Sequence, residues 1–206
     1  MLNQLYLDVI SRYLNQDQVI TLEILVWLIQ AHKTIKIERL AAYFPLPIKF
    51  ESRRRRIQRF LKLERLSVSL LWLPIIQQII KKKFASRERI HLVFDRTQWK
   101  DKNLFMVGVV MGKRSLPIYW QFLPKKGASN LAEQQAILRP ALKLLKTYQI
   151  IILGDREFHS AELANWLIEK KVGFAFRQKK STNIQVKGQD FQSLKELKIK
   201  PGERQF

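Results

Sequence analysis

The chain contains no cysteine among its 206 residues. This absence excludes three classes of site at once: disulfide bonds, zinc sites built from thiolates, and cysteine nucleophiles. It is typical of proteins that work inside the cell, where disulfides are rare. Any catalytic or structural site must therefore be built from other side chains.

Long apolar runs are also lacking. The longest candidate, residues 68–80, is interrupted by polar or helix-bending residues, namely Ser69, Pro74, Gln77 and Gln78. It is shorter than the roughly 20 residues that a membrane-spanning helix needs. The amino-terminal segment MLNQLYLDVI has no cationic stretch ahead of its apolar residues and includes Asp8, which is atypical of a secretory signal. The sequence therefore predicts no transmembrane segment and no secretory signal.

Acidic residues are scarce. The chain has 17 Asp and Glu against 38 Lys and Arg, which gives a formal charge of +21. A cationic excess of this size favours a polyanionic partner, because neutralising phosphates releases counterions and gives affinity without sequence reading. Nucleic acid is the leading candidate for that partner, and an anionic membrane surface is the alternative.

The first part of the chain, residues 1–85, has helical apolar spacing in four segments. These segments are residues 17–31, 34–43, 51–66 and 66–80. The first is so rich in apolar residues that we expect it in the middle of a small bundle. The third is expected to begin with Glu51 or Ser52 as its cap, and the fourth to kink or restart at Pro74. A basic stretch follows, and we place a domain border at residue 85.

The third helical segment has two different faces. Ile57, Phe60 and Leu61 lie at helical spacing on one face, while cations cover the other. The cations that we predict to contact DNA are Arg53, Arg54, Arg55, Arg56, Arg59 and Lys62. A helix, a short break and a basic helix outline a helix-turn-helix module, whose second helix lies against DNA. The alternative for such a charge run is a solvated helix face.

The second part of the chain changes to strand patterns. Apolar runs at residues 90–94, 104–112 and 116–123 are joined by polar links, which predicts an antiparallel meander with its first strand at the inner edge. Residues 97–103 are expected to form a polar turn. An amphipathic helix over residues 131–148 is expected to kink or break at Pro140.

The run IIIL at residues 150–153 leads through Gly154 and Asp155 into a helical pattern at residues 160–171, followed by a short strand at 173–177. An unbroken apolar run before a helix predicts a strand buried on both faces that feeds a crossover helix. The order of elements is then β-β-β-α-β-α-β. This is the plan of an α/β fold with an RNase H-like mixed sheet, over residues 86–180, preceded by a small all-α domain.

Two of the predicted buried strands are each followed by a carboxylate, Asp95 and Asp155. The carboxyl ends of strands are where open α/β sheets place ligands. The simplest use for two such carboxylates brought together is to hold a divalent cation; the alternative is that each caps a turn. Arg156, beside Asp155, is a candidate phosphate contact, with a salt bridge or a solvated cation as its alternative.

Five segments together resemble a known family. They are SRRRRIQRFL at residues 52–61, LVFDRTQWK at 92–100, LPIYW at 116–120, GASNLAEQ at 127–134 and GDREF at 154–158. The chain resembles a bacterial insertion-sequence transposase of the DDE class, in the group with a Y-R-E-K signature. The resemblance implies that Asp95 and Asp155 are the first and second acidic residues of a catalytic triad that holds Mg²⁺ or Mn²⁺. It further implies duplex DNA partners (transposon ends and target), a possible homodimer on DNA, and a cytoplasmic, DNA-associated location in a bacterial cell.

The Y-R-E-K signature itself does not occur in this chain. Residues 181–206 resemble the start of the β-rich insertion that precedes the third acidic residue in this group. We therefore expect a polypeptide that ends before that residue, truncated or the first part of a split reading frame, and inactive alone. Two further hypotheses remain: a non-catalytic DNA-binding regulator or inhibitor of transposition, and a metal-dependent nuclease of the same fold that recruits another acid.

Overall fold

The chain divides into two units, Met1–Ala85 and Ser86–Phe206. The computed structural model describes residues 2–185, 188 and 190–198. Each unit has its own set of elements. No helix within these residues is long and apolar enough to cross a membrane.

The elements of unit 1 are helical. They are α1 (Gln4–Ile10), α2 (Gln16–His32), α3 (Ile37–Tyr43), α4 (Phe50–Leu61), a π-helical turn (Val68–Trp72) and α5 (Leu73–Lys83). Asn15 caps α2, because its Oδ1 accepts from the Gln18 amide at 2.9 Å and the Gln18 side chain accepts from the Asn15 amide at 3.1 Å. Pro74 lies in the first turn of α5, where its missing N–H costs no helical hydrogen bond. Helix α5 therefore begins with Pro74 in its first turn, which is one of the two alternatives expected from the sequence.

Two details of unit 1 differ from expectation. The central burial expected for α2 is wrong, since Trp27 is 54% exposed and Ile20 and Ile29 are also exposed. Helix α2 contacts α3 and α4, and Trp27 lies at an open pocket that residues of α1 and α5 also line. The cap expected at Glu51 or Ser52 is wrong as well, because α4 already begins at Phe50. Glu51 instead lies in the first turn, where a carboxylate favours the helix amino end.

Unit 2 contains a five-stranded mixed sheet. Its elements are β1 (Arg89–Trp99), β2 (Lys102–Met111), β3 (Arg114–Leu123), α6 (Leu131–Leu144), β4 (Gln149–Gly154), a 3-10 turn (Arg156–Phe158), α7 (Ala161–Glu169) and β5 (Gly173–Phe176). The strand order is β3-β2-β1-β4-β5. The first three strands form an antiparallel meander, and β4 and β5 run parallel to β1. The predicted chain order β-β-β-α-β-α-β is therefore confirmed, with β1 at the inner edge of the meander.

A second, two-stranded sheet follows, in which β6 (Asn183–Gln185) pairs antiparallel with β7 (Phe191–Ser193). The sequence predicted the start of a β-rich segment over residues 181–206. Part of that range, including residues 199–206, lies outside the described residues.

The hydrophobic core of unit 2 lies between one face of the sheet and the helices. Its fully buried side chains include Ile90 and Leu92 of β1, Phe105 and Val107 of β2, Ile137 and Leu138 of α6, and Leu163 and Leu167 of α7. Alternate residues of β1, among them His91, are exposed. Strand β1 therefore follows the alternation of a strand with one covered face. In β4, the strand expected to be buried on both faces, Ile150 and Ile152 are buried whereas Ile151 and Leu153 are half-buried.

Two boundaries in unit 2 also differ from expectation. The polar turn expected at residues 97–103 is wrong, because β1 and β2 stay paired as far as Trp99 and Lys102 and turn through only two residues. Helix α6 runs through Pro140 without a break and ends at Leu144, not at residue 148 as expected. Pro140 removes the hydrogen bond to the carbonyl four residues earlier, and Ala136, which carries that carbonyl, is exposed to solvent.

Candidate functional site

Asp95 and Asp155 lie at matching positions on neighbouring parallel strands. The last residues paired between β1 and β4 are Val93 and Leu153, and each aspartate follows its strand's paired residue by two positions. Neighbouring strands are about 4.8 Å apart, so this register brings the two carboxylates to the same edge of the sheet. Both residues are exposed. Asp95 does not end β1, as the sequence suggested, because β2 continues to pair with β1 beyond the point where β4 stops.

Each aspartate is oriented by a local hydrogen bond. The Arg96 amide donates to Asp95 Oδ1 at 2.8 Å. The Glu157 amide donates to Asp155 Oδ1 at 2.9 Å, so that Asp155 also caps the 3-10 turn. Within the described part of the chain, neither carboxylate enters an ion pair, and the second oxygen of each accepts no hydrogen bond. Turn capping and ligand binding are therefore compatible at Asp155.

Gly154 sets the position of Asp155 through close packing. A Cβ atom on Gly154 would lie 2.9 Å from Phe94, 3.0 Å from Phe176 and 3.1 Å from Phe158. The rings of Phe94 and Phe158 are themselves in contact, with centroids 3.9 Å apart. Only glycine fits between these rings, so the backbone that leads to Asp155 is held against β1.

The guanidinium of Arg96 binds the Glu157 carboxylate in a bidentate ion pair beside the two aspartates. Arg96 Nε and Nη2 each donate to one Glu157 oxygen at 2.6 Å. The two side chains are only 15% and 18% exposed. This geometry is the strong, orientation-specific form of an arginine–carboxylate contact. It ties β1 to the 3-10 turn that carries Asp155.

The loop before α6 joins the same network. Arg96 Nη1 donates to Asn103 Oδ1 at 2.8 Å, and Asn103, which is fully buried, donates to the carbonyls of Lys125 and Gly127 at 2.9 and 3.0 Å. The amide and hydroxyl of Ser129 both donate to Glu157 Oε1, at 3.1 and 3.0 Å. Three of the sequence segments quoted above, around residues 95, 129 and 157, therefore meet in one hydrogen-bonded cluster.

The charge state of this cluster follows from its contacts. Burial by itself raises the pKa of Glu157, but the hydrogen bonds from Arg96 and from Ser129 outweigh it, and the net pKa lies below the usual value. The hydrogen bond to Glu157 raises the pKa of Arg96 further, helped by the nearby negative charges of Asp95 and Asp155. Both members of the pair are therefore charged across the pH range in which proteins fold. The contribution of Asp95 and Asp155 to Arg96 also shows that both carboxylates lie within electrostatic range of this one guanidinium.

The donor set at this edge fits a hard divalent cation with two protein ligands. Mg²⁺ prefers oxygen ligands and is commonly held by one or two carboxylates together with water and substrate phosphates. Asp95 and Asp155 match this description, whereas Glu157 is committed to Arg96. The residues that the structure describes contain no group of three or more acidic, histidine or cysteine side chains able to hold a metal.

The predicted DNA-binding cations of α4 separate into two groups. Arg53 donates to the carbonyls of Ala42 and Phe44 at 3.4 and 3.1 Å, which fastens α4 to the end of α3. Arg56 donates to Asp17 and, at 3.0 Å, to the buried hydroxyl of Thr21, which fastens α4 to α2. Arg54 pairs with Glu51 on the same helix at 3.0 Å. These three arginines have protein partners.

The remaining cations of α4 face solvent. Arg55, Arg59 and Lys62 are exposed and, together with Ser52 and Gln58, line a shallow groove along one side of the helix. Their side chains make no ion pair within the described residues. Arg156, in unit 2, is likewise exposed, with no described partner for its guanidinium. These four cations are the members of the predicted set that are available to an anionic ligand.

Sequence reasoning did not assign roles to Arg96, Asn103, Ser129 or Glu157. Their signal was present in the segments DRT, GASN and DRE, which were recognised as motifs but not as one cluster. No protein-family model matches this chain, and no curated protein matches it at a significant level. Function is therefore inferred from the geometry of the site and from the resemblance carried by those segments.

Proposed function

We propose that this chain is a DNA transposase of the DDE class, with an RNase H-like catalytic domain in unit 2 and a DNA-binding helix-turn-helix module in unit 1. The observation that carries the proposal is the matched placement of two exposed carboxylates, Asp95 and Asp155, on neighbouring parallel strands. The chain order β-β-β-α-β-α-β around them supports it. The reaction class is metal-dependent cleavage and transfer of DNA strands.

In this proposal Asp95 and Asp155 hold Mg²⁺ or Mn²⁺ through the carboxylate oxygens that face solvent. The cation supplies activation of the attacking hydroxyl and stabilisation of the leaving oxygen during phosphodiester cleavage. The Arg96–Glu157 pair keeps β1 and the 3-10 turn in register, so that the two carboxylates stay together. Arg156 contacts a DNA phosphate beside them.

Unit 1 supplies affinity for element-end DNA. Arg53 holds α3 and α4 together as a helix-turn-helix pair, and Arg55, Arg59 and Lys62 present their cations on one side of α4. Cations at this spacing along a helix meet successive backbone phosphates or base edges of a duplex. A homodimer on DNA is part of this proposal, since paired element ends present two copies of the same site.

A second candidate function is a non-catalytic DNA-binding regulator of transposition. It is favoured by one observation: among the described residues at the sheet edge only two carboxylates are unpaired, since the third, Glu157, is bound by Arg96. Such a protein would occupy element ends through α4 without cutting them. The two candidates share DNA binding and differ in metal-dependent cleavage.

The deciding experiment compares Asp95→Asn and Asp155→Asn with the control Asp101→Asn, which removes an exposed carboxylate from the β1–β2 turn. Binding of Mn²⁺ is followed by the electron paramagnetic resonance of the free ion, and cleavage by nicking of supercoiled plasmid. The transposase proposal expects Mn²⁺ binding by the parent chain and by Asp101→Asn, and its loss in the other two variants. Nicking by the parent chain alone is not expected, because the Y-R-E-K signature that carries the third acidic residue does not occur in this chain. Nicking that both substitutions abolish supports the metal-dependent nuclease instead.

The other outcomes separate the remaining hypotheses. A parent chain that binds duplex DNA but does not bind Mn²⁺ supports the regulator. Loss of DNA binding in a folded Asp95→Asn or Asp155→Asn variant contradicts the assignment of these residues to metal chemistry.

A further inference from the structure

A second cationic surface lies at the opposite edge of the five-stranded sheet. It is a cavity of about 730 Å³ where β1, β4 and β5 begin and α6 and α7 end. Its charged lining residues are all cations, namely Arg89, Lys143, Lys146, Lys170 and Lys171. We call these five residues the amino-edge patch. No acidic side chain lines the cavity in the part of the chain that the structure describes.

The cations of the amino-edge patch have no acidic partner among the described residues. All five are exposed, and none takes part in an ion pair among the described residues. Like charges crowded around one concavity repel one another, and the repulsion is relieved when an anion enters. Lysines near the carboxyl end of a helix are also stabilised by the negative end of the helix dipole. That structural role explains lysines on α6 and α7 separately, but it does not explain their convergence with Arg89 on one cavity.

The amino-edge patch is separate from the candidate active site. Arg89 and Asp95 stand six residues apart on β1, which at roughly 3.3 Å per residue is about 20 Å. A phosphate held beside Asp95 therefore cannot also contact Lys143 or Lys146. The patch must bind a different phosphate or a different stretch of the same polyanion.

We propose that the amino-edge patch binds the sugar–phosphate backbone of duplex DNA, as a second DNA contact in unit 2 remote from the metal-binding carboxylates. The inference rests on the proposed function, because it takes DNA as the polyanion. A concave site lined by convergent lysines suits a ridge of successive phosphates, whereas a lipid surface is better matched by a convex or flat cationic face. Lysine acts here as a point charge that needs no base contact, so the contact is independent of sequence.

The test compares two triple variants of equal charge. Lys143→Gln/Lys146→Gln/Lys170→Gln removes three cations of the patch, and Lys179→Gln/Lys180→Gln/Lys195→Gln removes three exposed lysines that follow β5 in unit 2. Affinity for a labelled duplex of arbitrary sequence is measured at several salt concentrations. The patch variant is expected to bind the duplex about tenfold more weakly than the parent chain. The slope of log affinity against log salt concentration should become about 2–3 less steep, and the control variant should keep the affinity and slope of the parent chain.

The absence of cysteine allows an independent readout. Lys146→Cys and the control Lys180→Cys each carry a single thiol, to which a photoreactive aryl azide is attached before DNA is added. The azide at residue 146 is expected to crosslink the duplex in preference to the azide at residue 180. This measurement reports how close residue 146 lies to bound DNA and uses single substitutions, so it holds even where the triple variant is poorly folded.

Each remaining outcome overturns the inference in a distinguishable way. Equal affinity and equal crosslinking for patch and control, with DNA binding intact in the parent chain, overturn the amino-edge patch and leave the proposed function standing. A parent chain that does not bind duplex DNA at all overturns both. If the patch variant keeps the DNA affinity of the parent chain but loses the parent chain's binding to vesicles of phosphatidylcholine and phosphatidylserine, the patch is assigned to a lipid surface. Lower thermal stability with unchanged DNA affinity assigns the lysines to the helix ends.

Discussion

Two charged regions of this chain divide their side chains in the same way, one on α4 and one at the carboxyl edge of the sheet. On α4, Arg56 is bound by Asp17 and Thr21 while its neighbour Arg55 faces solvent. At the sheet edge, Glu157 is bound by Arg96 while Asp155 faces solvent. In each region one charge holds elements together, and its neighbour is left for a ligand.

The two regions differ in how that division arises. On a helix, the angle of 100° per residue decides which cation points inwards, and the sequence spacing therefore contains the information. At the sheet edge, a 3-10 turn and a partner that is 61 residues away decide it. Charged residues one or two positions apart in the same motif can therefore have different roles. Only on the helix does the periodicity of the sequence predict which residue has which role.

Removing the charge of Glu157 is expected to change stability more than any other substitution considered for these two regions. Glu157→Gln leaves the guanidinium of Arg96 without its carboxylate in a site where both side chains are mostly buried. We expect a loss of about 2–3 kcal/mol in the free energy of unfolding, because an uncompensated charge remains. Urea denaturation measures this loss, and Asp101→Asn, at an exposed turn, is the matched control with a loss under about 0.5 kcal/mol. An equally small loss for Glu157→Gln would contradict a fastening role.

The ion pair of Glu157 also predicts how the stability of the protein depends on pH. The folded-state pKa of Glu157 lies below its usual value of 4.5, so the stabilisation is present above pH 4.5 and is lost as pH falls through the folded pKa. The difference in stability between the parent chain and Glu157→Gln is therefore expected to be constant near neutrality and to shrink below about pH 4.5. The raised pKa of Arg96 keeps its guanidinium charged throughout this pH range, so Arg96 adds no pH dependence of its own. A difference that grows on acidification would contradict the assignment.

The exposed side of α4 is tested by binding. Arg55→Ala/Arg59→Ala is expected to weaken duplex binding about tenfold and to reduce the salt slope by about 2, since each arginine neutralises one phosphate. Stability should change little, because neither side chain has a described partner in unit 1. Arg12→Ala/Lys36→Ala removes two other exposed cations of the unit and serves as the control. Equal effects of the two double variants would show that only the net charge matters and not this helix face.

The arginines of α4 that have protein partners, Arg54 and Arg56, are expected to change stability only slightly when they are replaced. Arg56→Ala removes the hydrogen bond to Thr21, which is 2% exposed, and should cost about 1 kcal/mol of unfolding free energy. Arg54→Ala breaks only the exposed pair with Glu51, and we expect a change of at most about 0.5 kcal/mol. Thermal denaturation of the two variants compares them directly. The reverse order would mean that Arg56 is not a fastening residue.

Much of the sheet could be predicted from local sequence. The apolar run at residues 150–153 and the helical pattern after it gave β4 and α7, and the two links of the meander gave its three strands. These features depend on neighbours in sequence, where periodicity carries the signal. The placement of Asp155 directly after β4 followed from the same run.

The contacts between distant residues could not be predicted in this way. The polar residues 97–103 looked like a turn because they lack an apolar alternation, yet residues 97–99 pair with residues 102–104 across the hairpin. The side chain of Asn103 in addition donates to loop carbonyls 22 and 24 residues away, which no local pattern predicts. The bidentate pair of Arg96 and Glu157 has no local pattern either. Helix α1 (Gln4–Ile10) was not predicted from the sequence.

Strand β1 is hydrogen-bonded to β2 on one side and to β4 on the other over residues Leu92 and Val93. The amides of this stretch are therefore expected to exchange with solvent deuterium only when unit 2 unfolds as a whole. Ligand-binding residues in many proteins lie on loops that open frequently and cheaply. Asp95 lies two residues beyond Val93, next to the stretch whose amides are expected to exchange most slowly. The position of the Asp95 carboxylate should therefore persist for as long as unit 2 stays folded.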